Sequence, residues 1–411
     1  MNIKFRLLLF SWLLQFVNYL DRTSISVAGP TMVKSLGFDA SQFGLLLAAF
    51  ALGYAIMQIP GGFLADRFGT KAMLVVAPVL FSVFTGATGL ATTLAALIAA
   101  RLCFGLSEGA INSGFYKLIG DNFTHREAAR AHSMWLTAFA LGPALVAPIA
   151  TAILRTADWR TVFFVFAVPG VIVALLVFFL IPRDAIEGQR HTLTSDERRA
   201  QWRAFARQPS TWMMFFGYFT FSVGYWGFLG WVPSYLVAQR HIDLKALGLA
   251  ASIPYLFGCV GILVYGRLGS GWLYRRQPAL LATSVLAAGA TLYVAYSAHS
   301  IQSCVIALSA TAFLLYGCLT PYAALVVQLA PAGARGMFAG TINTGGQIGG
   351  LLAPLAVGYL VKASNSYNSG FGFMIGAMAA SAACYGALQI WMSSRVPKRE
   401  DVEAKQLGGV R

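Results

Sequence analysis

The chain has 411 residues, 57% of them hydrophobic and only 11% charged, with a formal net charge of +15. Such an apolar composition excludes an ordinary soluble globule of this size, and the basic residues form no aromatic-interleaved patch, which excludes a nucleic-acid surface. Apolar runs of roughly 20 residues, each enough to cross a ~30 Å hydrocarbon core as helix, recur along the chain and predict an all-α membrane protein; β-barrel strands would be about half as long and would alternate.

Twelve spans are predicted: 7–33, 42–65, 71–91, 94–119, 128–154, 160–181, 209–238, 246–269, 278–298, 301–327, 336–361 and 370–394. The first follows Lys4 and Arg6 as a signal peptide would, but it is too long for one and is expected to stay in the mature protein. Within it, FVNYLDRTSIS (16–26) sets Asp21 and Arg22 side by side in apolar surroundings. The second span runs into GGFLADRFGTK (61–71). There Gly62 allows close helix approach, Asp66 and Arg67 bring opposite charges to a helix end, and Gly69 permits a turn before Lys71.

The fourth span carries Arg101 and Glu108, seven residues apart, so they share a helix face with Glu108 about 10 Å deeper. An unpaired charge at such depths costs at least ~2.5 to 3.5 kcal/mol on insertion scales, so Asp21, Arg22, Arg101 and Glu108 are expected to face the interior. Asp21 with Arg101 is the simplest structural pairing of the four. Arginines supply bidentate clamps for a carboxylate, and a carboxyl group whose surroundings alternate between cavity and water can take up and release a proton with the access state.

The polar stretch from Arg183 to Ser210 separates six spans from six. The expected organisation is a bundle over 1–182, a linker over 183–208, a second bundle over 209–394 and a tail over 395–411. The halves repeat: ALVAPIATAIL (144–154) aligns with GLLAPLAVGYL (350–360), and Gly62-x-Leu64 with Gly266-x-Leu268 at a nearly equal offset. Two pseudo-symmetric six-helix bundles with a midplane site between them follow. Most of the 30 lysines and arginines fall in alternate loops and the two termini, leaving Lys34, Arg155, Arg160, Arg240, Lys245 and Lys362 on the opposite side. Both termini are therefore expected in the cytoplasm.

The turn motif resembles the G-x-L-A-D-R-x-G-x-K signature of the major facilitator superfamily, where it works as a gate latch. Its second copy, YGRLGSGWLYRR, has Ser270 in the slot of Asp66. NYLDR in span one, with Arg101, Gly105 and Glu108 in span four, is similar to the anion:cation symporter family within that superfamily. The resemblance implies proton-coupled uptake of an organic carboxylate by alternating access. Asp21 and Glu108 would be the protonatable coupling pair, Arg22 and Arg101 the residues that meet the substrate carboxylate, and Tyr19 a hydrogen-bonding wall. WVPSYL (231–236) resembles a further family segment, as does TPYAALVVQLAP, with Tyr322 in an aromatic slot. In TINTGGQIGG, Asn343 and Gln347 stand i,i+4 and serve either substrate hydroxyls or interhelical hydrogen bonds.

Two departures bear on the substrate. Ala138 stands where sugar-acid members carry a glutamine, and Trp226 where a tyrosine is frequent, which points to an aromatic or less hydroxylated carboxylate. DNFTHRE also keeps only Phe123 and Glu127 of the family pattern after span four. The rival function, proton-coupled export, is disfavoured because exporters resemble G-P-x-x-G-G in span five and this chain has GPALVAP.

GLSEG (105–109) fits a nucleophile pattern but lies mid-helix, where Gly105 and Gly109 serve packing, so no enzyme is predicted. The five cysteines lie in apolar spans without metal-ligand spacing, and no cofactor or metal is expected. The predicted partners are a small organic anion, protons and the lipid bilayer of a bacterial inner membrane, with the chain a monomer.

Overall fold

The computed structural model describes residues 3–68, 70–109, 125–181, 202–203, 205–270, 276–330 and 335–394, with the single residues 200 and 273. Among the described residues every regular element is a helix. The first six are α1 (Ile3–Leu36), α2 (Ala40–Phe68), α3 (Thr70–Leu90), α4 (Leu94–Gly109), α5 (His125–Leu154) and α6 (Trp159–Leu180). The second six are α7 (Pro209–Ala238), α8 (Leu244–Ser270), α9 (Gln277–Ser297), α10 (Ile301–Leu329), α11 (Arg335–Ser364) and α12 (Tyr367–Ser394). Nine of them are long and apolar enough to cross a membrane over the described residues. The other three are α1, α4 and α7, which bring Arg22, Arg101 and Trp226 to the central site described below.

Boundaries lie within a few residues of the predicted spans, with α1 starting earlier, at Ile3. Residues 110–124, which include part of the fourth span and of DNFTHRE, lie outside the described residues, as do the tail and most of the linker.

The repeat is visible in the packing. In the first half α1 packs on α5 and α6, α2 on α4, and α3 on α6; in the second, α7 packs on α11 and α12, α8 on α10, and α9 on α12. Each helix thus has the same neighbours as the helix six positions later, giving two pseudo-symmetric six-helix bundles. Phe179 of α6, Leu263 of α8 and Ile390 of α12 are among many large apolar side chains left exposed, as a lipid-facing surface requires. The packing expected of GLSEG holds for both glycines: Gly105 lies against the Phe50 carbonyl and Gly109 against the Tyr54 carbonyl of α2, where any Cβ would collide.

The bundles meet through α2 with α11, α5 with α8, and α1 with α7. The first two contacts are the same contact made twice. Gly44 near the start of α2 packs against the Pro354 carbonyl of α11, and Gly248 near the start of α8 packs 3.3 Å, measured from where a Cβ would sit, from the Pro148 Cα of α5. Pro148 and Pro354 are the repeat prolines aligned in the sequence. Both contacts lie at the end of the molecule where α1 turns into α2, so that end is closed.

A polar clasp reinforces it. Asp39 caps α2: its Oδ1 accepts the Gln42 N–H at 2.9 Å while its own N–H donates to Gln42 Oε1 at 2.9 Å, a reciprocal capping box. Its other carboxylate oxygen receives Lys362 Nζ of α11 at 2.9 Å, joining one bundle to the other. The Ser41 hydroxyl, then Lys362, then the Gln42 N–H hold the Asp39 carboxyl well below the usual carboxylate range.

Candidate functional site

Between the bundles lies a cavity of about 40 Å³ in this conformation. Arg22, Thr23 and Ser26 of α1, Phe50 and Ala51 of α2, and Arg101 of α4 form one wall. Trp226 and Leu229 of α7 face them, with Gln347, Gly350 and Pro354 of α11. Residues 22, 23 and 26 share one helical face, so a single stripe of α1 presents a cation and two hydroxyls to the cavity.

Arg22 is the centre of the arrangement. It is 7% exposed and donates Nη1 to Glu108 Oε1 at 3.1 Å; Glu108 is 2% exposed. Its guanidinium lies 3.8 Å from the Trp226 ring centroid, 4.3 Å from that of Phe50, and 5.2 Å from those of Tyr19 and Tyr54. Such contacts are worth ~0.5 to 2 kcal/mol each, more when desolvated, and they help hold a largely buried cation. Trp226 belongs to the second bundle, so both halves grip the same guanidinium. It lies flat beside Gly350, where a Cβ would come within 2.9 Å of the indole.

Arg101, 1% exposed, donates Nη2 to the Arg22 carbonyl at 3.4 Å and lies 4.6 Å from the Phe104 ring centroid. Its Nε and Nη1 are buried with no hydrogen-bond partner in the protein. Arg101 also lines the cavity, and a buried guanidinium with unmatched N–H donors favours an anion beside it.

The carboxylates stand behind this wall. Asp21 is fully buried and accepts the Thr85 hydroxyl of α3 at 3.2 Å through Oδ2, with Oδ1 unpartnered. Neither Asp21 nor Glu108 lines the cavity. The simplest sequence pairing, Asp21 with Arg101, is corrected here: no hydrogen bond joins them, and the buried ion pair is Arg22 with Glu108. Depth along the helix axes placed these two about 10 Å apart, but an arginine side chain is long enough to cover most of such an offset.

The other expected site residues are distributed as follows. Gln347 lines the cavity, and Asn343, one turn away, does not. Tyr19 stacks on Phe139 at 4.5 Å and is 3% exposed, under Arg22 rather than on the wall. Tyr322 stacks on Tyr218 at 3.8 Å, outside the cavity. Ala138 is fully buried and also outside it. Of the turn motif, Lys71 donates to the Phe178 carbonyl at 2.9 Å, near the C-terminal end of α6 within the first bundle. Gly62, Asp66 and Arg67 have helical backbone in α2 with side chains outside the described residues, and Gly69 lies outside them altogether.

Sequence reasoning missed Thr85, Phe50, Thr23 and Ser26. The last two were legible, since they fall on the face of Arg22. Thr85 reaches Asp21 only through the tertiary packing of α3 on α1, for which no local signal exists.

Twelve helices, nine of them of membrane-crossing length and apolarity over the described residues, in two repeated bundles around a buried, charged central cavity have the architecture of a membrane transporter. The Major Facilitator Superfamily profile matches residues 11–354 and 238–408, and the chain belongs to that superfamily. Among curated relatives it is 33% identical over 393 residues to the probable sulfoacetate transporter of Cupriavidus necator, covering 87% of each chain. It is 30% identical over 372 residues to the probable L-galactonate transporter of Escherichia coli K12, covering 85% of this chain and 82% of that one. The hexuronate transporter of Bacillus subtilis is 26% identical over 90% of each chain. Among solved structures, an inward-facing, unoccupied bacterial homologue of the human lysosomal transporter Spinster superposes with a TM-score of 0.73 at 18% identity, covering 96% of this chain and 95% of that one, and supports the fold.

Proposed function

We propose that the protein is a proton-coupled symporter that takes up a small organic anion by alternating access. The observation that carries this reading is the buried Arg22–Glu108 pair beside a cavity lined by Arg22 and by Arg101, whose Nε and Nη1 have no hydrogen-bond partner. An incoming anion competes with Glu108 for the guanidiniums. Protonation of Glu108 or Asp21 offsets the added negative charge, so anion and proton enter together. The relatives are named as transporters of acids, which supports the organic-anion part of this reading.

The halves 1–182 and 209–394 rock about the linker 183–208, with 395–411 a tail. The clasped end is the periplasmic one, so the conformation is inward-facing, and both termini lie in the cytoplasm of a bacterial inner membrane. The turn motif at Gly62, Asp66, Arg67, Gly69 and Lys71 acts as the latch of the outward-facing state, in which Lys71 keeps α6 bound to its own bundle. Tyr19 and Tyr322 support the site from behind. Asn343 joins the wall when the halves rearrange. The working unit is a monomer.

The test is lumenal pH in right-side-out proteoliposomes during anion addition. Acidification by an organic anion, lost in Glu108→Gln while anion counterflow persists, is expected. Lumenal alkalinisation would mean antiport and would overturn the importer reading.

A further inference from the structure

Resting on that reading, we propose that the substrate is a short two-ended dianion, a two- or three-carbon chain with a sulfonate at one end and a carboxylate at the other, and not a six-carbon hydroxylated acid. Three observations converge on it.

The first is charge and reach. Both guanidiniums lie within 5.4 Å of the same Phe50 ring centroid, so two cations frame one small space. One of them, Arg101, keeps unpartnered donors. A dianion of a few carbons can meet Arg101 with one end and, where it displaces a protonated Glu108, Arg22 with the other, whereas a monoanion meets only one of them.

The second is the scarcity of hydroxyl partners. The Thr23 hydroxyl donates to the Tyr19 carbonyl at 2.6 Å and keeps only acceptor capacity, so the neutral side-chain donors on the cavity wall are Ser26, the Gln347 amide and the Trp226 indole N–H. Phe50, the ring face of Trp226, Leu229 and Pro354 supply the rest. An aldonate or hexuronate would bury several hydroxyls against these apolar faces, each losing its hydrogen bonds to water without replacement. A sulfonate–carboxylate has no hydroxyl to lose. Its sulfonate stays ionised at every physiological pH, so it retains its hold on a guanidinium while carboxylates around it take up protons.

The third is size. The cavity is about 40 Å³ in this conformation, which a short chain fills with a smaller movement of the bundles than a six-carbon acid needs. The relative named for sulfoacetate, at 33% identity, is consistent with this class.

The experiment is a binding titration on the purified full-length protein with sulfoacetate, the single-ended acetate and methanesulfonate, succinate, L-galactonate and D-glucuronate, paired with the vesicle pH assay on the same compounds. Sulfoacetate is expected to bind about 100-fold tighter than either single-ended anion and at least about tenfold tighter than L-galactonate. In Arg101→Gln the preference for two ends should shrink to less than about tenfold, because the second clamp is gone. The comparison among ligands on the wild-type protein needs no variant, so a poorly folded Arg101→Gln does not weaken it. Equal or tighter binding of L-galactonate or D-glucuronate, with vesicle acidification, overturns this proposal and leaves organic-anion symport standing. Succinate matching sulfoacetate overturns the sulfonate assignment. Failure of every compound to bind or to acidify the vesicles overturns the symport reading itself.

Discussion

Arg22 shows what a buried charge needs in order to persist in a bilayer. It has one carboxylate partner, four aromatic rings and a position where both bundles reach it. Lysine keeps the charge but has neither the flat face that the rings stack against nor the fork that can serve Glu108 and an anion together. Arg22→Lys is therefore expected to lower initial uptake at least about tenfold while the protein still reaches the membrane. Uptake per inserted molecule, by quantitative immunoblot and radiolabel flux, checks this; unimpaired uptake would show that only the charge matters. The sequence made these residues conspicuous, because Asp21, Arg22, Arg101 and Glu108 are ionisable groups where hydrocarbon should be. It did not show their pairing, which depends on side-chain reach and on the rotation of α1 against α4. Trp226 was legible only as a departure from a family pattern. Its role as the lid on Arg22 is a fact of tertiary contact.

At the scale of the helix, the closed end depends on the near absence of side chains at two points. Gly44 against Pro354 and Gly248 against Pro148 bring backbone to backbone, and a methyl group at Gly44 has nowhere to go, since Pro354 and Gly358 occupy its space. Gly44→Ala is expected to wedge α2 from α11 and shift the population toward the outward-facing state by about tenfold or more, a ~1.4 kcal/mol bias. Labelling rates of a single cysteine placed in the cavity, measured from each side of the membrane, report this. A faster reaction from the periplasmic side supports the closure described here, and no change refutes it. The prolines of this contact were visible as an internal repeat. Their glycine partners were present at a matching offset, in FGL at 43–45 and LGL at 247–249, but short apolar matches reveal their meaning only once the helices are seen to cross there.

For the whole molecule, hydropathy and repetition made the architecture readable in advance. Lipid demands long apolar helices, and duplication halves the topology problem. What they could not give is the conformational state, because both access states use the same helices and differ only in which ends touch. The Asp39–Lys362 clasp belongs to this level, since it ties bundle to bundle. Asp39 has its carboxyl depressed in the closed state, so its contribution is fully present above the ordinary carboxylate value of ~3.9 and is lost only as pH falls through the lower, closed-state value. Periplasmic accessibility of the cavity, by the same labelling assay, should thus show no Asp39-dependent change from pH 8 to 5, compared with Asp39→Asn, and a difference should emerge only in stronger acid. A difference that grows between pH 7 and 5 would contradict it. The pair is about half exposed, so salt should weaken it and its total effect should be small.

The substrate chamber touches Arg22 and Arg101 but neither Asp21 nor Glu108. On the proposed symport, selection on cargo would act mainly on the chamber wall and selection on energy conversion on the carboxylates behind it, with Arg22 linking the two through Glu108. Substitutions at Trp226, Leu229 or Gln347 can retune what is carried while the carboxylates behind the wall stay in place. If the proposed coupling holds, a lineage built this way can diversify its diet without reinventing its engine, and an engineer seeking a new cargo should begin on α7 and α11.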